Sequence, residues 1–180
     1  LHWGPNEQTQ LIRDKLDGNF QNVTDWLLRG NIDFDYLCES TLPDLCPVGG
    51  APLQVGEMAY DVVLVPECET LRSTTLERLE AFKAAGGKLV FMGDAPKYED
   101  AKPSARGKAL FDSARQIAFS RGALLDALYD DRTVEIRNFR AAEIGRETAI
   151  CGKDCCLTLN GYLCCHLLLI HIEFVATLEF

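Results

Sequence analysis

The chain has 180 residues, 27 acidic against 18 basic, and a formal net charge of −9, enough for one well-packed domain and short for a second full one. Nucleic-acid affinity comes largely from clustered Lys and Arg that release counterions; no such cluster is present, so no nucleic-acid partner is expected. No apolar run reaches the roughly 20 residues that span a bilayer and no leader-like segment opens the chain, so the expectation is a cytoplasmic protein with no membrane partner. The opening at Leu1 rather than Met, on residues that already read as the entrance to a helix, is what a piece of a longer polypeptide would show.

From Asn6 to Arg29 the apolar positions Leu11, Ile12, Leu16, Phe20, Val23, Trp26 and Leu27 recur every three to five residues, which predicts a long amphipathic helix. Pro5 suits its first turn, Gly18 weakens its middle by about 1 kcal/mol relative to Ala, and Gly30 stands where a left-handed cap residue belongs. Ile32 to Leu37 alternates apolar and acidic side chains, the period of a half-covered strand near a sheet edge. A loop rich in Pro and Gly follows, then a short strand around Leu53 to Val55.

Tyr60 to Gly93 is the most legible stretch. Val62 to Val65 is a β-branched apolar run of the kind buried on both faces of a parallel sheet, ended by Pro66. Thr74 and Glu77 have the spacing of a capping box, and the helix they open carries Leu76, Leu79 and Phe82 on one face before closing at Gly86-Gly87. Leu89 to Met92 is a second apolar run, so this segment reads as a strand–helix–strand unit. After a polar loop with Pro96 and Pro103, the expected elements are a helix at Arg106 to Arg115, a strand at Ile117 to Phe119, a helix at Arg121 to Leu128 capped by Ser120, and a strand at Thr133 to Arg137. Alternating element types point to a three-layer α/β/α sandwich with a mainly parallel sheet.

Of eight Cys, Cys38, Cys46 and Cys68 lie in the first 150 residues, and five crowd into positions 151–165. A chain of this length builds its own core, so reduced thiols are expected. Asn160-Gly161 between apolar flanks signals a β-hairpin turn in the tail. The tail, 141–180, is set apart from 1–140 as an apolar, Cys-rich segment, either an added hairpin or a sequence read in a shifted frame. Cys151, Cys155, Cys156, Cys164, Cys165, His166 and His171 supply soft ligands in a spacing that matches no recognised zinc finger, so neither metal nor cofactor is expected.

In an open parallel sheet, ligands gather at the carboxyl ends of the strands. Those ends carry Glu67, Cys68 and Glu69 after the first core strand and Asp94 after the second, with Arg72 close by. Paired carboxylates can divide acid and base roles, and a thiolate at Cys68 could attack a carbonyl. Against the second reading, Glu67 and Glu69 flank the sulfur and should raise its pKa, and His2, His166 and His171 are remote in sequence. His2 and Trp3 could stack on a sugar ring; packing of the Trp is the plainer alternative.

The runs Tyr60-Asp-Val-Val-Leu-Val-Pro66, Leu71-Arg-Ser-Thr-Thr-Leu-Glu-Arg-Leu79 and Gly86-Gly-Lys-Leu-Val-Phe-Met-Gly93 resemble the flavodoxin-like, class I glutamine amidotransferase-like domain of large bacterial glycoside hydrolases. They are similar to the trimerisation domain of family 42 β-galactosidases. His2-Trp-Gly-Pro5 and Ile32-Asp-Phe-Asp35 resemble segments of large bacterial glycosidases that carry a sugar-binding β-sandwich. The likeness spans roughly 1–140. It implies an accessory role beside a separate (β/α)8 barrel that holds the catalytic carboxylates, with other domains of the same polypeptide, further copies in a homo-oligomer, and carbohydrate as partners. In the amidotransferase superfamily the nucleophile follows the strand matching Lys88 to Met92; here that turn is Gly93-Asp94-Ala95, so no catalytic residue carries over. The alternative is a self-contained hydrolase or amidotransferase-like enzyme using Cys68 or the acidic rim.

Overall fold

The computed structural model describes residues 7–132, 134–138, 148–152 and 155–158. They fall into two compact units, Leu1–Gly30 with Phe34–Asp130, and Asn31–Asp33 with Asp131–Phe180. The first mixes helix and strand. Its helices are α1 (Glu7–Arg29), α2 (Leu42–Leu45), α3 (Ser73–Ala84), α4 (Arg106–Ser113) and α5 (Arg121–Ala127), and its strands are β1 (Leu53–Val55), β2 (Met58–Tyr60), β3 (Val62–Val65), β4 (Thr70–Leu71), β5 (Lys88–Met92), β6 (Tyr98–Glu99), β7 (Lys102–Pro103) and β8 (Arg115–Ile117). β3, β5 and β8 form a parallel sheet in that order, with Val63 opposite Leu89 and Phe91 opposite Gln116.

The strand–helix–strand unit expected over Tyr60–Gly93 is β3, α3 and β5. Leu76, Leu79 and Phe82 of α3 pack with Val63, Val65, Leu89 and Phe91 in one core that extends to Leu42, Cys46, Leu53 and Leu110. Val90 and Met92, at the alternate positions of β5, are buried as well, as a strand covered on both faces requires. The chain turns out of α3 through Gly86, whose φ of +91° favours glycine. Gly87 is needed for a different reason: a Cβ there would lie 2.3 Å from the Phe82 ring.

Four expectations are corrected. Ile32 to Leu37 forms no strand. Its aromatic residues bind locally instead: Tyr36 packs against Phe20 at 5.0 Å and Phe34 at 5.4 Å, and its hydroxyl lies 2.7 Å from Thr24 Oγ1. The capping box at Thr74 is not made. The helix begins two residues earlier, after an Arg72 N-cap without a side-chain cap bond; the amides of Arg72 and Ser73 donate to carboxylates distant in sequence, Glu39 Oε1 at 3.0 Å and Asp100 Oδ1 at 3.1 Å, where negative charge suits the positive helix end. The left-handed residue after α1 is Asn31, φ 53°, not Gly30; Gly30 is tight because a Cβ there would meet Leu125 at 2.5 Å. The strand expected at Ile117 to Phe119 is Arg115–Ile117, with Phe119 beyond it against Trp26 at 5.5 Å.

Within the polar loop after β5 lies an unexpected hairpin, β6 and β7, joined by Asp100 and Ala101 at φ 48° and 61°, the signs of a type I′ turn. Arg106 clamps this hairpin to α3: its guanidinium donates twice to Glu80, at 2.8 and 2.7 Å, and once to Glu99 at 2.8 Å. Ser104 Oγ donates to the other Glu99 oxygen at 2.9 Å. On the opposite flank Arg78 donates to the carbonyls of Cys46, Thr74 and Pro43, holding the loop around α2 on α3.

The second unit contains the antiparallel sheet β9 (Val134–Asn138), β10 (Thr148–Gly152) and β11 (Cys155–Thr158), in the order β11-β10-β9. β9 is the strand expected at Thr133 to Arg137, shifted by one residue. The hairpin expected at Asn160-Gly161 lies outside the described residues.

A Cβ at Gly18 would meet nothing within 4 Å, so Gly18→Ala should stabilise the fold by about 0.5–1 kcal/mol, whereas Gly87→Ala should cost about 1–3 kcal/mol through overpacking of the Phe82 ring; urea midpoints of the two variants check the opposite signs. Arg106 holds the Glu80 carboxyl below its ordinary 4.5 by hydrogen bonding, and a depressed carboxyl stabilises the folded state above its unfolded pKa and loses that contribution as pH falls through the folded one. Arg106→Ala should therefore cost about 1–2 kcal/mol at neutral pH, with the difference from the unsubstituted chain narrowing below pH 4.5; denaturation across that range measures it.

Candidate functional site at the strand tips

β3 and β5 run parallel, so the segments that leave them, Pro66-Glu67-Cys68-Glu69 and Gly93-Asp94-Ala95, emerge at the same edge of the sheet. Ile12, Lys15 and Leu16 of α1 lie beside them, and with Lys97 they enclose a cleft of about 110 Å³. Of the residues expected at the site, Glu67, Cys68, Glu69 and Asp94 all line it. Arg72 does not; it forms the N-cap of α3. His2 and Trp3 lie outside the described residues.

Glu67 is the centre of the arrangement. Its side chain is 13 % exposed, Lys15 Nζ donates to Oε1, and Asn19 Nδ2 donates to Oε2 at 3.1 Å. It also presses on the turn after β5: a Cβ at Gly93, where φ is +83°, would stand 3.0 Å from Glu67 Cβ. That contact and that φ are why the turn opens on glycine. The hydrogen bond to Glu67 raises the Lys15 pKa, with the charges of Asp94 and Glu69 adding to it, so three carboxylates face a firmly protonated ammonium. Glu69 is tied less tightly: its carbonyl accepts from the amides of Lys97 and Tyr98 at 2.9 and 3.0 Å, while its carboxylate stands 4.0 Å from Lys97 Nζ.

Cys68 packs against the core. Burial pushes its thiol up to about 12, with the charges of Glu39 and Glu67 adding to the effect. The sequence predicts the direction; the second carboxylate is Glu39 rather than the neighbouring Glu69. Cys38 is the opposite case. It is exposed, its Sγ lies 3.0 Å from Ser40 Oγ, and hydrogen bonds from the Ser40 side chain and then from the Ser40 and Thr41 amides pull its thiol below the ordinary value.

Lys15 and Asn19 are the site residues that sequence reading missed. Their spacing of four puts both on one side of α1, beside the apolar stripe of Ile12 and Leu16, and that is the signal that could have found them. Among the described residues no group of three or more His, Cys, Asp or Glu has metal-holding geometry. Cys164, Cys165, His166 and His171 lie outside them. No helix of the described residues is long and apolar enough to cross a membrane. No family model, curated protein or solved structure matches this chain.

With its thiol near 12, Cys68 carries thiolate at roughly one part in ten thousand at pH 8. Iodoacetamide applied to the folded chain at that pH should modify Cys38 at least ten times faster than Cys68. Preferential labelling of Cys68 would restore it as a nucleophile.

Proposed function

We propose that the first unit is a non-catalytic accessory domain of a multidomain bacterial glycoside hydrolase, which contacts neighbouring domains or subunits and borders the carbohydrate cleft. The observation that carries this reading is that the strand-tip groups are engaged with one another. Both oxygens of Glu67 accept from side chains of α1, Lys15 and Asn19, so its charge is already compensated within the chain. The Cys68 thiol is protonated at neutral pH. The cleft, at about 110 Å³, is well below the roughly 300–1,000 Å³ of small-molecule sites.

Topology supports the same reading. Ligand crevices in open α/β sheets form where strand order reverses, and the described parallel sheet runs β3-β5-β8 in one direction without reversal. A three-layer, flavodoxin-like architecture belongs to the proposal. It is supported by β5, buried at four successive positions, and by the resemblance of the Tyr60–Gly93 run. A self-contained hydrolase or amidotransferase would need Cys68 or the acidic rim, and the pairing at Glu67 and the high thiol pKa count against both.

An aryl glycoside offered to this chain alone should not turn over, and Asp94→Asn should change nothing; turnover abolished by Asp94→Asn would defeat the accessory reading. Sedimentation tests the contact role: charge reversals at Glu69 and Lys97 should shift self-association toward the 20.0 kDa monomer if this rim meets another subunit.

A further inference from the structure

The antiparallel pairing of β10 with β11 places Cys151 opposite Cys156 and Gly152 opposite Cys155. Directly opposed residues in such a pair have Cα atoms about 4.5 or 5.5 Å apart, inside the range of about 4.4–6.8 Å that a disulfide bridges. Successive strand residues fall on opposite faces, so Cys155 and Cys156 take opposite faces of β11, and the register sets Cys155 opposite Gly152. Composition offers five thiols between positions 151 and 165; the register singles out one pair.

We infer that Cys151 and Cys156 form a cross-strand dithiol that a small-molecule disulfide, such as oxidised glutathione, closes to an intramolecular disulfide. The thiolate of one cysteine attacks the oxidant, forms a mixed disulfide and expels one thiolate. The second cysteine, as thiolate, attacks the protein sulfur of that mixed disulfide, forms the Cys151–Cys156 bond and expels the other. The protein loses two electrons and two protons, and the oxidant gains both: the protons given up by the two cysteines pass through solvent to the two expelled thiolates, which leave as two thiols. Four residues separate the pair in sequence, so the second step is intramolecular at high effective concentration. The bond also fixes register. A slip of one residue would put Cys155 opposite Cys151 and move every residue of β11 to the other face of the sheet. This inference stands apart from the accessory-domain reading and rests on β10 and β11 alone.

The full chain is equilibrated with a glutathione redox buffer, quenched with an alkylating agent, digested with trypsin, which cuts at Lys153 between the two cysteines, and then with chymotrypsin, and the linked peptides are sequenced by mass spectrometry. The expected product is Cys151 joined to Cys156, retained in Cys155→Ser; in Cys156→Ser Cys151 should be recovered alkylated, with at least tenfold less of it in any disulfide. Cys151 joined equally to Cys155, joined mainly to Cys164 or Cys165, or left alkylated while other cysteines oxidise would each overturn the inference. Mapping of the unsubstituted chain decides the matter even if a variant fails to fold.

Discussion

Glu67 sits where three pieces of chain meet, and its pairing governs what the strand tips can do. An ion pair with a lysine as exposed as Lys15 adds little stability by itself. Its importance lies on the other side, because Glu67 is largely withdrawn from water and would be an uncompensated charge without Lys15 and Asn19. The same side chain crowds the place a Cβ would take at Gly93, 3.0 Å from Glu67 Cβ. One residue thus holds α1 to the sheet edge, keeps the turn after β5 free of a Cβ, and narrows the cleft to a volume of a few waters.

Much of the chain's acidity is used in this way. Glu39 and Asp100 accept from the first amides of α3, Glu80 and Glu99 meet on Arg106, and Asp35 accepts from the Tyr60 hydroxyl at 2.8 Å. All but the last of these tie neighbouring segments to α3, the helix that contributes most to the core. A net charge of −9 therefore overstates the acidity available to a ligand. The rim that remains, Glu69 and Asp94 beside Lys97, is a mixed-charge surface; under the proposed accessory role its charges would set the orientation of a contact more than its affinity.

What was legible in the sequence is what local pattern dictates. β3, α3 and β5 follow from two β-branched apolar runs flanking a helical stripe, and Ser120 caps α5 as its type and place suggest, accepting from the Ala123 amide at 3.3 Å. What was not legible depends on partners distant in the chain. The α3 cap comes from residues 33 and 27 positions away, so the nearby Thr74–Glu77 spacing misled. The Asp100-Ala101 turn has no glycine to announce it. β8 is polar at Arg115 and Gln116 because those side chains reach the carbonyls of Ala127 and Phe111. Residues 32–37 alternate like a strand, yet their aromatic groups cluster with α1. At the site, the strand tips were readable from topology, while the pairing that closes them lies on a helix about fifty residues earlier.

The cysteines carry the argument one step further. Residue type gives each thiol the same intrinsic chemistry, and position then separates them. Cys38 is exposed and its thiolate is favoured by hydrogen bonds, Cys46 is buried with its thiol raised by that burial, and Cys68 is pushed higher still by burial and two carboxylates. Exposure and charge sort these three, all in the first unit. For Cys151, Cys155 and Cys156 the sorting variable is strand register, which sets Cys156 opposite a cysteine and the adjacent Cys155 opposite a glycine. A cysteine count therefore says little about redox chemistry until each sulfur has been given its neighbours: carboxylates that keep it protonated at the sheet edge, or an opposing cysteine that gives it a bond to form.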